Sequence, residues 1–249
     1  MSSVSLIITD LTRMKGDRVC IAGVADDGQT IRPKFAYDMI TEEWLFDPAG
    51  KVIIQPFARV RMELLKHDPH PPHTEDWLVQ PDVKISEGLL GLAERQDFLQ
   101  RILDPNVAAI FGAEIYHEKG YFMHEGEGNR SLGTVRVSGL EDVSHRCYDG
   151  KWDYRISFTD CAGYPYRLRV TDLAFRYYVD HLREVQGVEC DQIGIRLEHQ
   201  LQNSTVYLRI GLARGLGEHP DRCYLQINGV YSFPDYLGEH CFADFVNQG

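Results

Sequence analysis

At 249 residues, with 43% hydrophobic and 25% charged side chains, the chain can build one large domain or two small ones around a proper core. A formal net charge of −11 argues against broad, sequence-blind binding to duplex nucleic acid, which needs many Lys and Arg contacts to phosphate, although a local basic face stays open. No apolar stretch approaches the ~20 residues of a membrane helix, and the opening Met1 to Asp10 lacks the basic region and apolar length of a signal peptide, so a cytoplasmic location is expected. Six scattered cysteines, Cys20, Cys147, Cys161, Cys190, Cys223 and Cys241, are expected to be reduced thiols packed as small hydrophobes.

In chain order, Ser5 to Thr9 predicts a first strand and Arg18 to Val24 a second, and Asp26-Asp27-Gly28 turns into Thr30-Ile31-Arg32-Pro33, making a three-strand meander. Glu42 to Phe46 is ambiguous. Asp47-Pro48-Ala49-Gly50 is a turn, and strand-like pieces follow at Lys51 to Ile54 and Ala58 to Leu65. Lys66 to Asp82, rich in proline, predicts an irregular connection. Ser86 is expected to cap a helix from Glu87 to about Leu103, with Asp104-Pro105 stopping it. Glu125 to Gly133 reads as a glycine-rich loop and Thr134 to Val137 as a short strand, which places a domain boundary between 1–130 and 131–249.

The second half carries the clearest periodicity. Val143 to Tyr148 joins the next strand through Asp149-Gly150, a strong hairpin signal. In that strand Trp152, Tyr154, Ile156 and Phe158 alternate with Asp153, Arg155, Ser157 and Thr159. After the Asp160 to Gly163 turn, Tyr164, Tyr166, Leu168 and Val170 alternate with Pro165, Arg167 and Arg169. The period then changes: Thr171 can cap a helix with Asp172 in its first turn. Thr205 to Leu212, burying Val206, Leu208, Ile210 and Leu212, and Arg222 to Val230 close the unit, and Tyr231 to Phe245 forms an aromatic tail expected to pack back. Three strands, a helix and two strands is the element order of the OB barrel.

Candidate chemistry is sparse. His67, His70 and His73, with Glu75 and Asp76 nearby, could present imidazoles to a transition ion, yet prolines stiffen the loop and disperse the rings, so no metal is assigned. Gly128-x4-Gly133 lacks the lysine of a phosphate loop, and Asn129 stands where a nucleophile elbow needs glycine. Asp10, at the end of its strand, is an undecided candidate. The most informative constellation is the outward phase of the central hairpin, Arg155 with Arg167 and Arg169, because OB barrels present ligands to the exposed surface of strands two and three. Arginine there can pair with phosphate or stack on a base. Arg18 and Arg32 are candidates for an equivalent patch in the first half. The aromatics of the hairpin fall in the inward phase, so no stacking platform is evident.

Several short stretches resemble the bacterial dual OB-containing domain family: Thr12-Arg13-Met14, Arg18 to Gly23, Ile31-Arg32-Pro33, Ser131-Leu132-Gly133, Val170 to Arg176, Gly211-Leu212-Ala213-Arg214 and Cys223-Tyr224-Leu225-Gln226. The resemblance implies two OB barrels and a nucleic-acid or nucleotide recognition module of bacterial conflict and antiviral systems. It implies no catalytic residue. The expectation is therefore a mostly β protein of two five-stranded OB-like barrels, each with an associated helix, acting without cofactor or catalysis on single-stranded nucleic acid or a nucleotide-like ligand. The alternatives are a subunit that docks on a partner effector and, third, an enzyme acting on nucleotides.

Overall fold

The computed structural model describes residues 2–215 and 217–246. The first half forms β1 (Ser2–Arg13), β2 (Val19–Ala25), β3 (Thr30–Lys34), β4 (Ala58–His67) and β5 (Asp76–Leu89). Helix α1 (Leu92–Arg101), the single turn α2 (Ala108–Phe111) and the short hairpin β6 (Tyr116–His117) and β7 (Tyr121–His124) lead into the second half. There β8 (Leu132–Tyr148), β9 (Lys151–Asp160) and β10 (Pro165–Val170) precede helices α3 (Leu173–Glu184) and α4 (Cys190–Gln202), followed by β11 (Thr205–Leu212) and β12 (Arg222–Phe233).

Both halves close in the same way. In the first barrel the order is β1-β2-β3-β5-β4, with β1 and β4 antiparallel and β3 and β5 parallel. In the second it is β10-β9-β8-β11-β12, and the parallel pairing of Arg169 and Val170 with Gln226 and Ile227 shuts the ring. Closure removes the sheet edges that would otherwise offer unpaired N–H and C=O groups. The β6–β7 hairpin, although it precedes residue 131, pairs onto β12 of the second barrel.

Several expectations are revised. Ser86 does not cap a helix: it pairs with Val60 inside β5, where Glu87 accepts hydrogen bonds from Ser5 Oγ at 2.6 Å and Arg61 Nε at 2.7 Å. The helix starts at Leu92, after Gly91, whose amide donates to the Glu94 carboxylate at 2.7 Å. These cross-strand partners hold Glu87 in a strand, which local spacing cannot report. Lys51 to Ile54 contributes only an isolated bridge between Phe46 and Val52, and Glu42–Leu45 is a 3-10 turn. The expected irregular stretch ends at Asp76, where β5 begins. Thr134 to Val137 is part of the 17-residue β8. Helix α3 is capped by Asp172, whose carboxylate accepts from Ala174 N at 2.9 Å and Phe175 N at 3.3 Å, while the Thr171 hydroxyl donates to Ile227 O at 3.1 Å. Cys147 and Cys161 are exposed rather than packed.

Helix α4 is absent from the sequence reading although Ile193, Leu197 and Leu201 recur at helical spacing and are buried. It lies against β8 through Gly194, where a β-carbon would collide with the Val143 carbonyl oxygen. Gly194→Ala is therefore expected to lift the helix and destabilise the protein by about 1 to 3 kcal/mol, read as a lowered urea midpoint, despite alanine's better helix propensity. An unchanged or raised midpoint would show that the strand yields freely.

The barrels are not beads on a string. From Leu6 to Thr12 every β1 residue is buried, in both phases, and β11 is buried in both phases from Val206 onward. One phase of each fills its own barrel. The other meets the opposite barrel in a cluster of Ile7, Val24, Phe57, Phe98, Leu99, Tyr207 and Tyr231, with α1 wedged alongside. The aromatic tail packs back as expected: Phe242 reaches the first core beside Phe46, 5.9 Å between centroids, and Phe245 covers Tyr178 on α3 at 5.0 Å.

Candidate ligand-binding faces of the two barrels

The outer face of β9 and β10 is where the alternating arginines lie. Arg155 is registered against Arg169, and Arg167 against Ser157, so all three project opposite the buried Tyr154, Ile156, Phe158, Tyr166 and Leu168. Asp153 sits among them, accepting from Arg155 Nε at 2.6 Å and Arg169 Nε at 2.9 Å. Burial pulls its carboxyl upward, but the hydrogen bond from Arg155 and the charges of Arg155 and Arg169 prevail and hold it below the usual range. One carboxylate thus serves two guanidiniums. Arg167 donates to Ser144 Oγ at 3.2 Å and has no carboxylate partner among the described residues. With the Arg169 side chain 60% exposed, the face is open to solvent, and β8 borders it with Asp142, in register with Ser157, and Glu141, which accepts from Thr159 Oγ1 at 2.5 Å.

Aromatic rings form a rim at the Pro165 end of the hairpin: His117 and Tyr121, which come from outside it, and Tyr164, expected in the inward phase but exposed because it precedes β10. The His117 ring stacks on Tyr121 at 4.1 Å and 5°, and Tyr121 donates its hydroxyl to Pro165 O at 3.0 Å, at the start of β10. Tyr164, half-exposed, stands 6.4 Å from Tyr121. Only the pairing of β7 with β12, and of β12 with β10, brings residues 117 and 121 to this hairpin, so no local pattern could have found them.

The corresponding face of the first barrel is closed. Ala22 and Val24 are buried, Val24 in the cluster with Tyr207 and Tyr231 of the second barrel. Arg18 is exposed at the mouth of β2, in a bridge with Thr41, whereas Arg32 is 6% exposed and donates to Asp76 Oδ1 at 2.6 Å. The expected equivalent patch does not assemble, because the two arginines follow opposite fates: one solvated, one drawn into the contact between barrels.

That contact gathers charge where loop 68–75, between β4 and β5, meets residues 213–215, which follow β11. Asp76, fully buried, holds Arg32, Lys34 at 3.1 Å, and Arg214 reaching over from the second barrel. Glu75 beside it accepts from Ser131 N at 2.6 Å, Ser131 Oγ at 2.9 Å and Leu132 N at 3.2 Å. Ile31-Arg32-Pro33, Ser131-Leu132-Gly133 and Gly211 to Arg214, far apart in the chain, therefore converge on one junction. The pattern of the dual OB-containing domain matches residues 6–230, nearly the whole chain. The protein belongs to the dual OB-containing domain family. No curated protein is similar enough to count as a match.

As a dual OB-containing chain it carries the barrel architecture of a binding module, and the histidine loop serves that architecture. The His67 ring stacks on Trp77 at 4.7 Å, and its Nε2 lies 2.7 Å from Thr74 O; His70 Nδ1 lies 3.0 Å from Asp68 O; His73 is buried. The His67 and His70 rings are directed to different partners, and the His73 ring nitrogens have none among the described residues. Asp10, the undecided candidate, lies within β1 and is buried in an ion pair with Arg209 of β11, 3.0 Å to Nε and 2.8 Å to Nη2. No helix among the described residues is long and apolar enough to cross a membrane.

Proposed function

We propose that this dual OB-containing protein is a non-catalytic recognition module that binds single-stranded nucleic acid or a nucleotide-derived anion on the outer face of β9 and β10. One observation carries the reading: of the two barrels, the second leaves its strand-two and strand-three surface open, and that surface bears Arg155, Arg167 and Arg169, two of them sharing Asp153, with Glu141 and Asp142 along its β8 edge. Guanidiniums can take phosphates bidentately, and the His117, Tyr121 and Tyr164 rings offer π-faces to bases at the rim. A net charge of −11 fits a short, local contact rather than a long backbone track. The bacterial antiviral setting implied by the family resemblance belongs to the same proposal.

The test is binding of short single-stranded RNA and DNA, and of nucleotides, to wild type and to Arg167→Glu with Arg169→Glu. Hydrogen bonds to charged groups are each worth about 1.5 to 3 kcal/mol, so affinity should fall by about tenfold or more, and added salt should mimic the change. Both side chains are outside the core, so melting should barely shift, within about 0.5 kcal/mol. Unchanged affinity with an unchanged melt would remove this face from the site and favour docking on a partner protein.

A further inference from the structure

We propose that the junction between loop 68–75 and the 213–215 segment after β11 is a second binding site, a seat for a phosphate-class oxyanion held jointly by Arg32, Lys34 and Arg214 with His73 at its base. The proposal does not depend on the arginine face of β9 and β10.

Three unsatisfied polar atoms point to it. Among the described residues, Arg32 Nη2 and both ring nitrogens of His73 are buried without a hydrogen-bond partner. Arg32 is 6% and His73 3% exposed. Buried polar groups are almost always paired, because leaving one unpaired forfeits its hydration with no return, so three in one cluster call for a missing partner. The partner must suit cations. The charges acting on the His73 imidazole are those of Arg32, Arg214, Asp76 and Lys34, and burial together with the three cations keeps the ring neutral, its pKa down at about 3.

The acidic groups nearby are already engaged. Asp76 is shared by Arg32, Lys34 and Arg214; Asp68 lies 3.2 Å from Lys34; Glu75 is occupied by the Ser131 amide and hydroxyl and the Leu132 amide. Asp76 therefore acts to position the cations, spreading three of them around one carboxylate, and guanidinium hydrogens remain for an oxyanion. Arg214 and Lys34 are 46% and 32% exposed at the side chain, which gives the seat an opening to solvent. A neutral imidazole can donate through one nitrogen to an anion oxygen. Because Arg32 and Lys34 come from β3 and Arg214 from the loop after β11, the seat is complete only when both barrels are docked. An occupant would thus bind the docked form and stabilise it by mass action.

Inorganic phosphate is the probe, titrated into the full chain in a buffer of constant ionic strength, with chloride as the control, and followed by calorimetry and thermal melting. Phosphate should raise the melting temperature where chloride does not. Arg214→Gln, a half-exposed loop position, should fold normally and weaken phosphate by roughly tenfold. His73→Leu, which keeps the site filled with an apolar side chain, should also weaken it. Arg167→Glu with Arg169→Glu should leave the phosphate effect intact, so failure here is separable from failure at the open face. Equal phosphate effects in wild type and Arg214→Gln, or no effect in wild type at tens of millimolar, would overturn the proposal. So would a crystal structure grown in phosphate showing only water against Arg32 Nη2 and His73.

Discussion

Arg209→Ala is expected to destabilise the protein by about 3 to 5 kcal/mol, a large share of an ordinary total of about 5 to 15 kcal/mol. Arg209 on β11 and Asp10 on β1 are each 2% exposed and pair across the contact between barrels. Arg209 Nη1 also donates to Thr134 Oγ1 at 2.8 Å, and the Thr9 hydroxyl donates to Asp10 at 2.7 Å. Truncation strands the Asp10 carboxylate in a site sealed from water. The penalty is that of an unpaired buried charge, not the net worth of the pair. The double variant Asp10→Leu with Arg209→Met should consequently recover most of the loss, since two apolar groups of similar size need no partners. Urea denaturation of the single and double variants measures both quantities. A single-variant loss below 1 kcal/mol would mean that water enters the contact and the barrels are less tightly sealed than their packing indicates.

Asp172→Ala should cost about 2 to 4 kcal/mol, combining a lost helix cap with a buried Val230 amide left without an acceptor. That amide donates to Asp172 Oδ2 at 2.7 Å, so one side chain starts α3 and ties it to β12. The same residue predicts a dependence on pH. Burial pushes its carboxyl up to about 7, against the lowering effect of the Val230, Phe175 and Ala174 amides, and the charge of Asp10 adds to the rise. In the unfolded chain the carboxyl titrates near 4. Between those values the folded protein keeps a proton that the unfolded chain has released, so this contribution to stability falls as pH rises from about 4 to about 7. His145, held down at about 4 by burial and Arg183, and His73 act in the opposite sense: the unfolded chain binds their protons first, and their contribution grows as pH rises toward 6.5. The wild-type profile is a sum of both. Asp172→Asn isolates the carboxyl, and its cost relative to wild type should shrink with rising pH, by up to about 1.4 kcal/mol per unit between 5 and 7. Parallel profiles for the two proteins would show that Asp172 is ionised throughout.

What the sequence by itself determined is the second barrel's hairpin. Strict alternation in Trp152 to Thr159 and Tyr166 to Val170 describes strands with one face in a core and one in water, and that is where the open arginine face lies. The turn residues Asp149-Gly150 and Asp160 to Gly163, the element order and the resemblance of short stretches to one family were legible for the same reason: each depends on residues close in the chain. The first barrel wrote a different signal. Leu6 to Leu11 and Val19 to Ala25 are nearly continuous apolar runs, the mark of strands buried on both faces, and β11 likewise. Such runs announce that something covers the outer face but not what covers it.

Only the tertiary structure decided the rest. Asp10 and Arg209 are polar residues in an outward phase, indistinguishable in sequence from Arg155 or Arg169, and they are buried because a second barrel, 199 positions away in the chain, supplies the opposite charge. Arg32 is held inward by Asp76, its register partner on the neighbouring β5, and Arg214 of the second barrel closes over the same carboxylate, while Arg18, beyond the reach of the contact, stayed in water. Whether an outward arginine becomes a ligand surface or part of an interface is set by what packs against it, and that is a property of two folded surfaces meeting, which no local periodicity encodes.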